Sequence, residues 1–474
     1  MPLTLTDSFA TSPAIAEAMS ERAFIAGVFA FEAALARAQA LEGVISDGAA
    51  EIIAQTATQM NLAPEDVADD AALAGALTIP LVKRLIAEVR RRDAAAAGYV
   101  HFGATSQDAM DTSLVLQLDR AVAEIDATLA RLAQACARLA DAHRSTIMLG
   151  RTLLQPATPI AFGQKAAQWL LAAYEDRTRL RHAARAALRI QFGGASGNLG
   201  SLSEKGAAVS ARLSALLPLR FGETTAPVAR EPVTPWHTRR GNLLALCSAF
   251  AISAGNAAKM ARDVSLMCQW EVGEASEPAE AGRGVSSAMP HKRNPVRCMA
   301  ALAAGTRAPG LLATLMAGAV QEHERAFGGW QAEWAALPDL VKLSGGAIAY
   351  MADVVDGLAL DTARMRSNFD SLRGLPLAEM AALALAPSLG RDAAHALVSD
   401  ASRRAIDTGA TLAEEISKDP VARNILSDAQ LAAVFDPAEA LGATSTFIDH
   451  ALGLWRAQDA AFNETAFNME KQNG

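Results

Sequence analysis

The sequence predicts an all-α fold built on a bundle of long helices, and three observations predict it. The chain is rich in alanine and has only 5% aromatic residues, which favours long, closely packed helices over sheets. Apolar residues recur at three- and four-residue intervals over stretches far longer than an average helix. Strand-like alternation is absent over any useful length. At 474 residues the chain exceeds one ordinary core, so two or three domains are expected.

The elements follow in order. Residues 21–42 carry apolar positions at helical spacing and stop at Gly43, a suitable C-cap. Shorter helices are expected over 47–60, 64–75 and 80–92. The polar turn YVHFGATSQDAMDTS then leads into a helix in which Val115, Leu118, Val122, Ile125, Leu129, Leu132, Cys136 and Leu139 keep a heptad spacing. A pattern sustained that long belongs in a bundle. Long helical patterns recur near 160–190, 237–272, 295–322 and 330–358, with QFGGASGNLG (191–200) as one turn between them. Beyond 360 the helices shorten, with breakers at Gly374, Pro376, Pro387, Gly390, Pro420 and Pro437. The expected division is a small helical N-terminal domain (1–111), a central long-helix bundle (112–359) and a small helical C-terminal domain (360–474). Seams of that length predict burial against further copies, so a homo-oligomer is expected.

Composition excludes several function classes. A net charge of −8 leaves no broad basic surface for nucleic acid. Cys136, Cys247, Cys268 and Cys298 lie far apart without metal-ligand spacing, which suits a reducing, cytoplasmic compartment. The N-terminus has no basic region followed by an apolar run, so no signal peptide is expected. Apolar stretches such as Pro309–Val320 and Leu243–Gly255 read as too short to cross a membrane. HExxH and HxxxH spacings are missing, which argues against a zinc site. The glycines of 191–200 neither follow a strand nor keep GxGxxG spacing, which argues against a nucleotide fold.

Chemistry concentrates in loops between the helices. Gly282–Cys298 (GRGVSSAMPHKRNPVRC) holds five basic side chains and no acid. Its glycines and prolines bar a helix interior until about Pro295. Such a loop suits an anionic small molecule, over which it can close. His101–Asp111 gathers more polar groups than a helix cap needs. Arg151, Thr152 and Gln155 sit together in GRTLLQP. His237 and Arg240 lie in PWHTRR, and His323 and Arg325 in QEHERAFGGWQAEW.

These stretches carry a resemblance. SSAMPHKRNP resembles the signature loop of the fumarase/aspartase superfamily, GSSxMPxKxNP, and HFGATSQDAMDT and GRTLLQPATP resemble its other two active-site regions in the same order. Within that superfamily, QEHERAFGGWQAEW, PWHTRR and FEAALARAQA most resemble the lactonizing cycloisomerases of aromatic-acid breakdown, which act on a tricarboxylate muconate. The similarity runs nearly the whole chain and is densest over 99–334.

The resemblance implies a three-domain, all-α homotetramer joined through the bundle, needing no metal or other cofactor. It also implies active sites assembled from regions of different subunits. By motif position Ser286 matches the proton-transfer serine, and Lys292 and Asn294 match binders of substrate and intermediate. Thr105, Ser106, Gln107, Arg151, Thr152 and Gln155 match carboxylate binders. His101, His237, Arg240, Ser287, Met289, His291, Arg297, His323 and Arg325 complete the candidate substrate-binding set. Two positions depart from the pattern. Leu153 stands where superfamily lyases have a histidine (GRTHxQ) and the lactonizing enzymes a tryptophan, so it departs from both patterns, and Val285 stands where a glycine precedes the serine pair. A lost histidine disfavours an adenylosuccinate-type β-elimination, whose basic leaving group needs a positioned acid. Intact serine, lysine and asparagine disfavour a non-catalytic protein on the same fold.

Overall fold

The computed structural model describes residues 5–217, 221, 231–280, 282–286, 288–289 and 291–470, with side chains described as far as residue 460. The N-terminal lobe contains α1 (Glu21–Leu41), α2 (Asp47–Gln59) and α3 (Thr78–Arg92). Serine caps start the first two, Ser20 and Ser46 accepting from the N–H three residues on. The bundle is made of α4 (Ser106–Ala142), α5 (Phe162–Ala187), α6 (Gly241–Met267), α7 (Val296–Ala317) and α8 (Gly329–Asp356). Helix α4 packs on α5 and α8, and α6 packs on α5, α7 and α8, which closes the bundle.

The heptad positions of α4 form its seam. Val115, Leu118, Val122, Ile125, Leu129, Leu132 and Cys136 are all buried, and Leu139 is partly so. Across the seam, Arg177 and Arg181 of α5 both donate to Asp126 of α4. A separate small core of Ala381, Leu385, Val398, Leu412 and Ile416 organises the C-terminal lobe.

Several expectations are revised. The boundary placed at 111 falls inside α4, which starts at Ser106. At the other end α9 (Thr444–Glu470) leaves the C-terminal lobe and packs back on α5 of the bundle. Pro387 lies within the Ala378–Leu389 helix instead of ending it. The structure also contains strands, which the sequence did not lead us to expect. Strands β1 (Ile147–Thr152) and β2 (Gln155–Ala161) form an antiparallel hairpin, and Ala275–Ser276 pairs with Ala359–Leu360. GRTLLQP is therefore a hairpin tip, where two-residue alternation is too short to register as a pattern. The ladder shifts register between Leu149 and Arg151, and a Cβ on Gly150 would lie 2.4 Å from the Thr158 carbonyl oxygen. Only glycine fits there.

The apolar stretches read as short are parts of longer helices. By length and composition Glu21–Leu41, Gly241–Met267 and Val296–Ala317 are long and apolar enough to cross a membrane. Of their most apolar windows, 67%, 56% and 33% respectively are buried within the chain. Isolated polar residues had divided these stretches in the sequence. Helix α7 is the least covered, with Met299 and Met316 exposed.

Leu118 is 1% exposed in the α4 seam. Leu118→Ala is expected to cost about 2–5 kcal/mol through lost burial and an unfilled cavity, measured by denaturant unfolding.

Candidate active site

The candidate side chains collect at two ends of the bundle. At one end lie the start of α4, with His101, Thr105, Ser106 and Gln107, the start of α6, with His237 and Arg240, and the segment after α7, with His323 and Arg325. At the other end lie the β1–β2 tip, with Arg151, Thr152 and Gln155, and the 282–295 loop with Arg297. Between the two ends runs α4, whose 37 residues span about 55 Å at 1.5 Å per residue. One copy of the chain cannot bring Thr105 and Arg151 to the same small ligand.

The first end is organised by buried carboxylates. Asp108, fully buried, accepts from the N–H groups of Thr105 (3.0 Å), Gly193 (3.0 Å) and Gly194 (2.9 Å) and from His237 Nε2 (2.7 Å). These four donors fill both oxygens, so His237 must carry its proton on Nε2. Asp111, 1% exposed, and Glu333, 3% exposed, hold Arg240 between them. Its Nη1 and Nη2 donate to Asp111 at 2.8 and 3.0 Å, and Nη2 also reaches Glu333 at 2.5 Å. Burial opposes the Arg240 charge, but the two carboxylates outweigh it and keep the guanidinium firmly protonated. Burial also lifts the Glu333 carboxyl above its ordinary value despite Arg240.

Gln107 Nε2 donates to Asp111 and to the His237 carbonyl, while its Oε1 accepts from Arg325 at 3.2 Å. Arg325 also donates to the Ala195 carbonyl at 2.8 Å. His323 is exposed, has φ of 45°, and its carbonyl accepts from Thr238. Gln107, His237 and Arg240 are thus buried scaffold within the chain, whereas His101, Thr105 and Ser106 remain partly exposed.

At the second end Arg151 makes a two-pronged ion pair with the buried Glu274 at 2.6 and 2.9 Å, and Asn368 also donates to that carboxylate. Thr152, Leu153, Leu154 and Gln155 are exposed. Leu153 and Leu154 occupy the turn with φ of 52° and 64°, a conformation that costs L-residues about 1–2 kcal/mol each. They are 98% and 79% exposed. A strained turn tipped with two bare leucines gains nothing within one copy.

The signature loop borders a cavity of about 420 Å³ whose lining includes Glu277, Val285, Lys292, Arg293 and Asn294. Asn294 donates from its backbone N–H and its Nδ2 to the Gly284 carbonyl, and Val285 forms an antiparallel bridge with Arg293. Val285 therefore needs no glycine freedom, while Gly284, at φ 63° and with its Cβ position 2.3 Å from the Asn294 carbonyl oxygen, does. Ser286 Oγ accepts from the backbone N–H of Met289 (3.1 Å) and of Ala288 (3.4 Å). His291, Lys292 and Arg293 are exposed, and none has a carboxylate partner among the described residues. Arg297 is already paired with Asp353 and stacks over Tyr350. Met289 is half exposed, and Ser287 lies outside the described residues. No cluster of His, Cys, Asp and Glu suited to a metal occurs among the described residues.

Sequence reasoning passed over Glu32, Gln191, Glu274 and Glu333 as partners of these groups. Glu32 left a signal: it is the one acid among the buried residues of α1, between Phe31 and Leu35, where a charge needs a partner.

A helical bundle carrying its polar regions at both ends is the framework of a lyase-fold enzyme, and comparison with known proteins agrees. The family described as "Lyase" matches residues 7–310, and "Adenylosuccinate lyase C-terminus" matches 374–451. A 3-carboxy-cis,cis-muconate cycloisomerase of Bradyrhizobium diazoefficiens is 44% identical, over 93% of this chain and 96% of its own. The crystal structure of 3-carboxy-cis,cis-muconate lactonizing enzyme from Pseudomonas putida superposes with a TM-score of 0.88 at 40% identity, covering 96% of this chain and 99% of that one. A nitrosuccinate lyase of Streptomyces davaonensis is 39% identical over 92% of this chain and 91% of its own. The chain belongs to this lyase family, in the branch of the 3-carboxy-cis,cis-muconate cycloisomerases.

Arg240→Met would strand Asp111 and Glu333 without their cation. It is expected to cost about 3–5 kcal/mol near neutral pH. Glu333 binds its proton more tightly folded than unfolded, so its contribution to stability grows as pH falls. Part of the deficit relative to the parent chain should therefore disappear in mildly acidic buffer, measured by urea unfolding across pH.

Proposed function

We propose that this enzyme converts 3-carboxy-cis,cis-muconate to 4-carboxymuconolactone by intramolecular addition of a carboxylate to an alkene, as a step of protocatechuate breakdown. The observation that carries the reading is Leu153. It replaces the lyase histidine at the tip of the β1–β2 hairpin and offers no proton to a leaving group. In the reverse direction the group leaving a muconolactone is a carboxylate, whose reference pKa is about 4, so it departs without protonation. Amine or hydroxide leaving groups would need an acid there.

In the forward direction one carboxylate oxygen forms the C–O bond. The alkene electron pair moves toward a second carboxylate, giving an enolate-like intermediate, and a proton is added to carbon. Ser286 is the proton-transfer residue in this reading. The N–H groups of Ala288 and Met289 on its Oγ are suited to stabilising an alkoxide. Lys292 and Arg293 supply charge that no carboxylate among the described residues pairs with, His291 adds a further donor, and Asn294 holds the base of the loop. Thr105 and Ser106 at the start of α4 bind carboxylate, joined by Thr152 and Gln155 from the hairpin.

Separation of the two ends by α4 supports a site built between copies. The open apolar face of α7 and the bare leucines of the hairpin support the same arrangement, here a homotetramer, with no nucleic acid or membrane as partner. Four free cysteines, three of them buried, fit a cytoplasmic setting.

The first test follows diene absorbance with 3-carboxy-cis,cis-muconate, beside adenylosuccinate and nitrosuccinate. Loss of the diene signal with the other two untouched is expected. Nitrite release or fumarate formation without diene loss would replace the reading with β-elimination. Ser286→Ala is expected to lower kcat by about 10²–10⁴-fold, and full turnover would remove serine from the mechanism. Mixing inactive Ser286→Ala with inactive Thr105→Val protein, followed by subunit exchange, should restore part of the activity. No recovery would mean that each copy works alone.

A further inference from the structure

We propose that Glu32 is a positioning residue for the reaction: from α1 it fixes His101 so that the ring presents Nε2–H to a carboxylate of the bound polyanion. The proposal deepens the functional reading above and rests on it for the identity of the ligand.

The geometry is specific. Glu32 is 1% exposed in the middle of a helix face otherwise given to the core. One of its oxygens accepts the backbone N–H of His101 at 3.1 Å, and the other meets His101 Nδ1 at 2.6 Å. Two turns further along the same helix, Gln39 Nε2 donates to the carbonyl of Phe102 at 2.6 Å. Glutamate and glutamine together clamp the 101–104 turn onto α1, and the turn needs clamping. His101 has φ of 60° and Gly103 has φ of 76°. A histidine held in a left-handed conformation is strain stored beside a functional region.

A carboxylate on Nδ1 also settles the tautomer. Glu32 accepts only, so Nδ1 carries hydrogen and Nε2 is left to face outward. The ring is 18% exposed, and Nε2 has no partner among the described residues. Its turn leads through Ala104, whose N–H donates to the His101 carbonyl, into Thr105 and Ser106, the carboxylate-binding candidates. The charged groups around it are few. Glu32 comes from α1, and Asp108 comes from α4, its oxygens already filled by three N–H groups and His237. Arg325, beyond Gln107, is spent on carbonyls. Burial works against the His101 cation, but Glu32 and then Asp108 outweigh it, so the ring stays protonated to higher pH than an ordinary histidine. An imidazolium there binds anions, and its loss on titration weakens binding.

The test measures binding and turnover across pH in the full chain. Binding of propane-1,2,3-tricarboxylate is followed by calorimetry, and KM and kcat for 3-carboxy-cis,cis-muconate by diene absorbance. In the parent protein the Kd should rise with pH through one midpoint. Glu32→Gln keeps the side-chain volume but removes the charge, and should move that midpoint down by about one pH unit. Above both midpoints this is about a tenfold weaker affinity, carried in KM while kcat at saturation stays within about threefold. An unchanged midpoint with lowered kcat would mean a structural role only and would overturn the proposal. If Glu32→Gln does not fold, His101→Gln decides: the midpoint should vanish, and its persistence would be equally fatal. Tricarboxylate binding with a Glu32-dependent midpoint but no diene loss would leave this inference standing and overturn the proposed reaction. Diene loss with no Glu32-dependent midpoint would do the reverse.

Discussion

The Asp108 carboxylate is the constraint from which the first end of the bundle is built. A buried carboxylate is expensive unless every lone pair is used, and Asp108 uses them on four donors from three parts of the chain. Thr105 fixes the start of α4. Gly193 and Gly194 bring in the turn between α5 and the following segment, and His237 brings in the entry to α6. A Cβ on Gly193 would meet the His237 ring at 2.8 Å, and one on Gly194 the Gly103 carbonyl oxygen at 2.8 Å, so each glycine serves a close approach of its own. One acid thus sets the relative positions of three loops, and the Arg240 network one helical turn below sets the helices beneath them.

That scaffold changes how the charges should be read. The basic residues of the sequence divide into those the fold consumes and those it leaves over. Arg240, Arg297 and Arg151 are each committed to carboxylates of the same chain, and Arg325 to an amide and carbonyls. His291, Lys292 and Arg293 on the signature loop are left over, and His101 is left half-committed by its bond to Glu32. The uncommitted groups are the ones still open to a partner outside the chain. The committed ones keep the site rigid, which matters where binding must favour a transition state over a ground state.

Backbone strain touches some of the same places. His101, Leu153, Leu154 and His323 have positive φ and lie in loops singled out by their chemistry, while Leu199, Ser203 and Arg373 share that conformation elsewhere. At His101 the strain is held by Glu32. At the hairpin no side chain among the described residues holds it, and two exposed leucines sit where Asn-Gly would be unstrained. The strained hairpin and the polar start of α4 are separated by about 55 Å of helix.

The sequence by itself determined the helices, the loops between them and the polar residue types those loops carry. Helical periodicity and loop chemistry are local, carried by side chains three to seven positions apart, as in the α4 seam and the 282–298 loop. Tertiary structure decided what each charged group does. Arg240 and Asp111 are 129 residues apart, Arg151 and Glu274 are 123, and His101 and Glu32 are 69. No local pattern encodes these pairings, so the sequence could not show that Arg240 is spent inside the fold. It missed the hairpin for a related reason, since two strands become visible only when paired. It gave the motif regions without their separation, because distance between them follows from α4 being one unbroken helix.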